Sequence, residues 1–208
     1  RGGFLPPLPH RRRMFAGGRL TFAAPILIGS TVRRKGEVVA VQEKTGGRGE
    51  LVVVTVRYEI SDQRGLLVAE EQDLVYTDSP PQPPQPGSSE VPDAPWSESI
   101  MTDEVLLFRF SALTFNSHRI HYDRTYATGN EGYPGLLVHG TLTALLCAEM
   151  LRSHATRPPT RFSFRTTAPL YVGETIQLRG GPSAHDAVRL AAYRDDGAVA
   201  VEAHATVG

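Results

Sequence analysis

The sequence contains only one cysteine, Cys147, among 208 residues. A single thiol can form neither an internal disulfide nor a cysteine metal cluster, so we expect a reducing, cytoplasmic setting. Lys plus Arg and Asp plus Glu are balanced at 22 each, which argues against a nucleic-acid or anionic-membrane partner. No stretch approaches the ~18 apolar residues of a membrane span, and the amino terminus lacks the apolar core of a signal peptide. These absences predict a soluble protein that binds neither nucleic acid nor membrane.

Proline is concentrated in residues 79–89. Proline lacks an N–H group and fixes its own backbone, so this density excludes both helix and sheet. We predict an extended linker over residues 79–95, between an amino-terminal unit of residues 1–78 and a carboxy-terminal unit of residues 96–208. The chain opens at Arg1 on a loop-like sequence without a Met, so we expect further residues upstream.

The first unit has the pattern of an antiparallel meander. Residues 51–60 and 66–75 are rich in β-branched side chains, which favour strands. Residues 62–65, Asp-Gln-Arg-Gly, form a plausible turn between them. We find no long helical period in this unit.

The second unit contains one strong helix signal. Residues 140–155 are apolar almost all round, which predicts a helix buried within a sheet. Pro158 and Pro159 prevent its continuation. The apolar segments from Arg161 to Val207 predict a second set of strands.

The two units share a short repeat. Residues 19–22 correspond to residues 161–164, and residues 25–32 correspond to residues 169–176, with apolar positions, proline and glycine in register. This order favours duplication of a strand pair over coincidence. The predicted fold class is α+β: an antiparallel sheet wrapped around a long buried helix, preceded by a sheet of matching pattern. This arrangement resembles a double hotdog whose first repeat lacks its helix.

One stretch carries most of the functional information. Residues 115–121 read Phe-Asn-Ser-His-Arg-Ile-His, and a second segment ends in His139-Gly140. They resemble the active-site signature of the MaoC-like, R-specific enoyl-thioester hydratases, with Asn116 at the aspartate position, His118 at the asparagine and His121 at the histidine. The family's glycine before the aspartate is Phe115 here, and its acid is an amide. This variant resembles the subgroup of mesaconyl-C4-CoA hydratases, itaconyl-CoA hydratases and yeast-type 3-hydroxyacyl-thioester dehydratases.

The resemblance implies a hydro-lyase that interconverts a 2-enoyl thioester and an R-3-hydroxyacyl thioester. A short C4-dicarboxylic or methyl-branched acyl-CoA is the expected substrate, with no metal or separate cofactor. A 3-hydroxyacyl-ACP dehydratase of fatty-acid synthesis would use the same atoms and stays an alternative. A non-catalytic acyl-thioester-binding or assembly partner is a third hypothesis, because the acid is missing at Asn116. We expect a homodimer, or one double hotdog acting alone.

Hydration of a 2-enoyl thioester needs a base for water at C3, a proton for C2 and stabilisation of the thioester oxygen. His121 is the candidate base, since histidine exchanges protons near neutral pH. Asn116 cannot exchange protons and is expected to hold the water through its amide. The N–H of Gly140, at the start of the predicted helix, suits a developing oxyanion.

Four further residues are candidates for substrate binding: Arg119, His139, His118 and Tyr122. Arg119 suits a substrate carboxylate, because a guanidinium group binds carboxylates through two parallel hydrogen bonds; an internal ion pair is the open alternative. His118 and His139 are equally compatible with purely structural hydrogen bonding. Asp123 is expected to cap a short turn over residues 124–127 rather than to supply the missing acid.

Overall fold

A computed structural model describes residues 4–10, 12–46, 49–80, 87 and 90–208. Most of the Pro-rich segment of the predicted linker therefore lies outside the described residues. The strands are β1 (Arg12–Phe22), β2 (Arg33–Gly46), β3 (Gly49–Asp62), β4 (Gly65–Thr77), β5 (Trp96–Met101), β6 (Pro159–Thr166), β7 (Thr175–Ala184), β8 (Ala187–Tyr193) and β9 (Val199–Val207), and the α-helices are α1 (Glu104–Leu113) and α2 (Gly140–His154).

The strands form one nine-stranded antiparallel sheet, in the order β2-β3-β4-β1-β6-β9-β8-β7-β5. Alternation along the strands places one face toward the core. In β9, Ala203 and Ala205 are buried, whereas Glu202 and His204, which alternate with them, are exposed. The first-unit meander, β1 to β4, and the second set of strands are thus halves of a single sheet.

The repeat seen in the sequence is a repeat in space. Strands β1 and β6 are neighbours at the centre of the sheet, and Leu20 pairs directly with Phe162, its counterpart in the repeat. The pairs on either side are related by a pseudo-two-fold axis through this point. Gly29 and Gly173, also counterparts, both adopt left-handed backbone, with φ of 84° and 88°. The correspondence in pairing and backbone geometry supports duplication of one structural unit.

Helix α2 is the long helix that the sequence predicts, and it begins at Gly140 and ends at His154. Its buried side chains include Leu142, Cys147 and Met150, which join the main hydrophobic core with residues of β6 to β9. The helix is not buried all round, because Leu145 is 55% exposed. None of the helices in the described ranges is long and apolar enough to cross a membrane.

Helix α1 was missed in the sequence analysis. Asp103 caps it by accepting a hydrogen bond from the Leu106 N–H. An aspartate followed by a glutamate and then an apolar run is the signal that could have revealed it. Only Leu107 and Ser111 are buried along its ten residues, so its amphipathic period is weak.

The first repeat has no helix within described residues 4–80. Its inner face carries Val52, Val54 and Val56, and these side chains are covered by Leu5 and Leu8 from the segment before β1. An irregular segment therefore lies on the first-repeat sheet, whereas α2 lies on the second.

The two repeats also differ at the loop after their first strand. Ile26 is 48% exposed and Leu27 52%. Their counterparts Leu170 and Tyr171 are only 3% and 7% exposed. Tyr171 forms a β-bridge with Leu137, and Leu170 accepts a hydrogen bond from the next residue of that segment. The covering segment of the second repeat, which leads into α2, has no equivalent among the described residues of the first.

Replacing Phe162 by alanine should destabilise the protein by about 3–5 kcal/mol, because this ring lies in the main core beneath the central strand pair. Leu20→Ala is the matched control, since Leu20 is its half-buried partner on β1. Urea unfolding followed by circular dichroism measures both variants. An equal or larger loss for Leu20→Ala would contradict the placement of the core on the second-repeat side.

Candidate active site

A sharp reversal follows helix α1. The helix ends at Leu113, and Phe115 then adopts a left-handed conformation with φ of 53°. The N–H of Asn116 donates back to the Ser111 carbonyl and closes the turn. A left-handed residue with a side chain costs about 1–2 kcal/mol, which explains why the hydratase signature places glycine at this position.

Asn116 is half-buried, and its side chain is fixed by the loop that it starts. Its Oδ1 accepts a hydrogen bond of 3.1 Å from the backbone N–H of His118. This bond fixes which end of the amide faces the loop. The NH₂ group has no partner among the described residues and can donate to a bound molecule.

His121 ends a 3-10 turn, Arg119–His121, and only 8% of it is exposed. Its Nδ1 lies 2.9 Å from the carbonyl oxygen of Leu137. A carbonyl can only accept, so Nδ1 carries the proton and Nε2 carries the lone pair. Burial lowers the pKa of His121 from its usual 6.5 to about 4. His121 is thus a neutral imidazole whose basic nitrogen is unprotonated at neutral pH.

His139 stacks on His121 at the start of α2. The two ring centroids are 3.7 Å apart with an interplanar angle of 19°, and His139 is 1% exposed. Burial lowers the pKa of His139 to about 3, and the neighbouring His121 adds to the effect. The stack brings the base candidate to the amino terminus of α2, because Gly140 directly follows His139.

Gly140 is the first residue of α2, and its N–H has no acceptor within the described part of the chain. Unpaired N–H groups at a helix start attract negative charge. Glycine is also required sterically, since a Cβ here would lie 2.5 Å from Cγ2 of Thr166. Thr166 itself is held by hydrogen bonds of 3.0 Å to the carbonyls of Phe15 and Ala16 on β1.

His118 lies on the other side of His121. Its ring meets that of His121 edge-on, with centroids 5.7 Å apart. Burial lowers the pKa of His118; Glu131 opposes this shift and Arg13 reinforces it. The structure therefore brings together His118, His121, His139 and Gly140, and joins Asn116 to them through the backbone of His118.

Arg119 and Tyr122 are held on the outer side of the same turn. Arg119 forms an ion pair with Asp123, at 2.6 Å, and its guanidinium lies 4.2 Å from the centre of the Tyr126 ring. The hydroxyl of Tyr122 donates to the Ser117 carbonyl. The internal ion pair left open in the sequence analysis is the one observed, and the role of both residues in substrate binding stays a prediction.

The segment after His121 is anchored to the first repeat. Asp123 accepts a hydrogen bond from the Tyr126 N–H, as expected for a cap, and a π-helical turn, Tyr126–Asn130, follows. Glu131 then binds both the Tyr126 hydroxyl and the guanidinium of Arg12 on β1. The sequence gives no local signal for the contact between Arg12 and Glu131, because the two residues lie 119 positions apart.

The rest of the described surface offers no rival with comparable chemistry. No group of three or more His, Cys, Asp or Glu side chains in the described ranges is arranged to hold a metal ion. An open groove of about 530 Å³ is lined by Arg19, Arg161 and His204, among others, and contains none of the predicted site residues. The buried imidazoles at the start of α2 remain the site with reactive groups.

Residues 1–172 match the family described as hydroxyacyl-thioester dehydratase type 2. This chain belongs to that family. The whole chain is also 47% identical, over 211 residues, to mesaconyl-C(4)-CoA hydratase of Chloroflexus aurantiacus, and it covers 75% of that protein. The predicted family and the predicted hydratase or dehydratase class are confirmed.

Solved structures support the fold independently. A MaoC-like dehydratase superposes with a TM-score of 0.80 at 16% identity, covering 96% of this chain and 76% of the other. A Mycobacterium tuberculosis protein described as a double hotdog superposes with a TM-score of 0.65 at 16% identity, covering 95% and 75%. The predicted double hotdog is therefore confirmed, with this chain spanning about three quarters of each of these structures.

The pH dependence of turnover should reflect the buried state of His121. Its pKa is about 4 rather than 6.5, so the base stays unprotonated, and kcat/KM should hold nearly constant from pH 8 to about pH 5 and fall only near pH 4. The free energy of unfolding should also fall on acidification. The unfolded chain binds protons at the ordinary histidine pKa and the folded chain does not, so stability is lost as pH falls from 6.5 through about 4. Circular dichroism at each pH separates unfolding from titration. A fall in kcat/KM centred near pH 6.5, in protein that is still folded, would contradict a buried base.

Gly140→Ala should lower both stability, by about 1–3 kcal/mol, and kcat/KM, by more than tenfold, because the new methyl group meets Thr166. Thr166→Ser removes that Cγ2 and keeps the hydroxyl bonded to β1, so the double variant should recover most of both losses. Thermal unfolding and enoyl-thioester kinetics on the four proteins form a double-mutant cycle. If the losses of the two single variants simply add in the double variant, steric contact with Thr166 is not the reason that position 140 requires glycine.

Proposed function

We propose that this protein adds water reversibly across the double bond of a 2-enoyl-CoA, giving a 3-hydroxyacyl-CoA, with a C4-dicarboxylic acyl group of the mesaconyl-C4 type as substrate. The reaction class follows from the family. The acyl group is supported by the 47% identity over the whole chain to mesaconyl-C(4)-CoA hydratase. The proposed product has the R configuration at C3, as the resemblance implies.

In the hydration direction, Nε2 of His121 accepts a proton from water as the water oxygen bonds to C3. The C2–C3 π electrons move toward C1, and the thioester carbonyl becomes an enolate oxygen. His121 then returns the proton to C2, and the carbonyl re-forms. One histidine serves both proton transfers, so the step requires no second acid and no change of oxidation state.

Asn116 and Gly140 act on the two ends of this rearrangement. The oxygen of the Asn116 amide is bonded to the His118 N–H, so the NH₂ group faces the water. It donates to the water oxygen and orients a lone pair of that oxygen toward C3. The Gly140 N–H binds the oxygen on C1, whose charge grows as the enolate forms. That growing charge also favours protonated His121, which offsets the low pKa of the free base.

The observation that carries the proposal is the hydrogen bond from Nδ1 of His121 to the Leu137 carbonyl. It fixes the tautomer and turns the ring so that the free nitrogen is Nε2. Combined with burial, it yields a histidine whose Nε2 is unprotonated at neutral pH. A histidine with a structural role alone needs no such unpaired basic nitrogen.

The test is a spectrophotometric assay of the 2-enoyl chromophore with mesaconyl-C4-CoA, crotonyl-CoA and an enoyl-ACP. His121→Ala should reduce kcat by at least ~10²–10⁴-fold, the usual contribution of a general base. The kcat of His121→Asn should fall as far. This variant should stay folded, because an asparagine amide can donate to the Leu137 carbonyl in place of Nδ1.

His185→Ala is the matched control, since that side chain is 96% exposed and lies in the turn after β7. It should retain wild-type kcat and KM. Full activity in His121→Asn would exclude the mechanism. No turnover of any enoyl thioester by wild type, with binding retained, would favour a non-catalytic thioester-binding protein. A preference for enoyl-ACP over both CoA esters would move the substrate to the carrier-bound class.

A further inference from the structure

A buried serine–histidine pair lies beside the proposed base and has no part in the mechanism above. Oγ of Ser111, on α1, is 2.8 Å from Nε2 of His139, at the start of α2. The two residues are 6% and 1% exposed. Ser111 was not identified from the sequence, because it belongs to the helix that the sequence analysis missed.

Hydrogen-bond counting assigns the protons of this pair. The Ser111 hydroxyl has no other partner in the described structure, so its proton is satisfied only by donation to Nε2 of His139. The reverse arrangement would leave both the hydroxyl proton and the Nδ1 lone pair unpaired in a buried site. His139 is thus the neutral tautomer that carries its proton on Nδ1.

The second ring nitrogen of His139, Nδ1, takes no part in the contact with Ser111. Nδ1 is fully buried and has no hydrogen-bond partner among the described residues. His139 is also the N-cap residue of α2, yet its side chain accepts no bond from the first amides of the helix. A capping side chain normally accepts from those amides, and a protonated Nδ1 cannot. Two donors from consecutive residues at the helix start, Nδ1–H of His139 and the backbone N–H of Gly140, therefore have no acceptor among the described residues.

We infer that His139 is a further catalytic residue, which donates Nδ1–H to the thioester oxygen of the substrate alongside the Gly140 N–H, and that Ser111 sets its tautomer. This inference rests on the proposed function. In the reaction, His121 takes the proton of water while the C1 oxygen gains the electron pair of its former carbonyl π bond. His139 shares its proton by hydrogen bonding and does not transfer it, so the proton balance of the one-base mechanism is unchanged.

A neutral donor suits this position better than a charged one. The two rings are stacked at 3.7 Å, so a positive charge on His139 would oppose protonation of His121 during the reaction. A neutral imidazole avoids that conflict and still donates a hydrogen bond to an enolate oxygen, as neutral histidine does in other enolising enzymes. An orphan buried donor also costs stability in the free protein, and the substrate oxygen supplies its partner.

Two substitutions separate the nitrogens of His139. His139→Gln keeps a polar group near Nε2, facing Ser111, and removes the Nδ1 donor. His139→Asn keeps a donor near Nδ1 and loses the contact with Ser111. We expect kcat to fall about 10²–10³-fold for His139→Gln, the usual loss on removing an oxyanion donor, with KM changed less than threefold, and to fall less for His139→Asn.

Ser111→Ala should lower kcat about tenfold through loss of the preferred tautomer, and Ser111→Thr, which keeps the hydroxyl, should restore it. Nitrogen-15 spectra of the histidine rings in the free protein should show Nδ1 of His139 protonated and Nε2 unprotonated. Protonated Nε2 in wild type would overturn the assignment. Wild-type kcat in His139→Gln would also overturn the inference. If His121→Asn is inactive at the same time, the proposed function still holds.

A binding measurement tests the inference without turnover. In the His121→Asn background, the carbonyl stretch of bound crotonyl-CoA labelled with carbon-13 at C1 should lie below its value in water, and adding His139→Gln should move it back toward that value. An unchanged frequency in the double variant would assign His139 a structural role only. If wild type turns over no enoyl thioester, the proposed function fails, while this frequency still decides whether His139 contacts the thioester oxygen.

Discussion

The hydrogen bonds between β1 and β6 join two repeats into one sheet, and the same seam fixes the position of the site. Thr166, at the end of β6, is bonded to two carbonyl groups of β1 and lies against Gly140. Arg12, at the start of β1, holds Glu131 and through it the turn that follows His121. The helix start and the base are thus positioned by one strand pair. A change in the register of β1 against β6 would move both ends of the site.

Burial gives the site its electrostatic character. Neutral imidazoles tolerate a dry environment, whereas a charged ring there is costly. Two hydrogen bonds then choose which nitrogen is protonated: the Leu137 carbonyl for His121 and the Ser111 hydroxyl for His139. In the proposed reaction, charge would enter the site only as His121 gains a proton and the substrate becomes an enolate. This arrangement accounts for a base that lacks a carboxylate partner, since Asn116 stands where the hydratase signature has an acid.

In the part of the chain that the structure describes, the cluster of buried histidines lies in the second repeat. The second repeat has α2 across its sheet and a covering segment bridged to Tyr171. In the described first repeat, Leu5 and Leu8 lie over the sheet, and the counterpart of Tyr171 is exposed. Among the described residues of the first repeat, β1 supplies the contacts that anchor the candidate site.

The sequence by itself determined the repeat and the long helix from Gly140, and it singled out His121 as the candidate base, because each depends on local period or on spacing within one short segment. It did not reveal helix α1, whose apolar period is weak, nor Ser111 on its buried face. Only the tertiary structure decided the tautomer of His121, the stacking of His139 upon it and the partner of Arg119. Those features depend on which atoms meet across elements far apart in the chain, and hydrogen-bond direction and burial exist only once those elements are packed together.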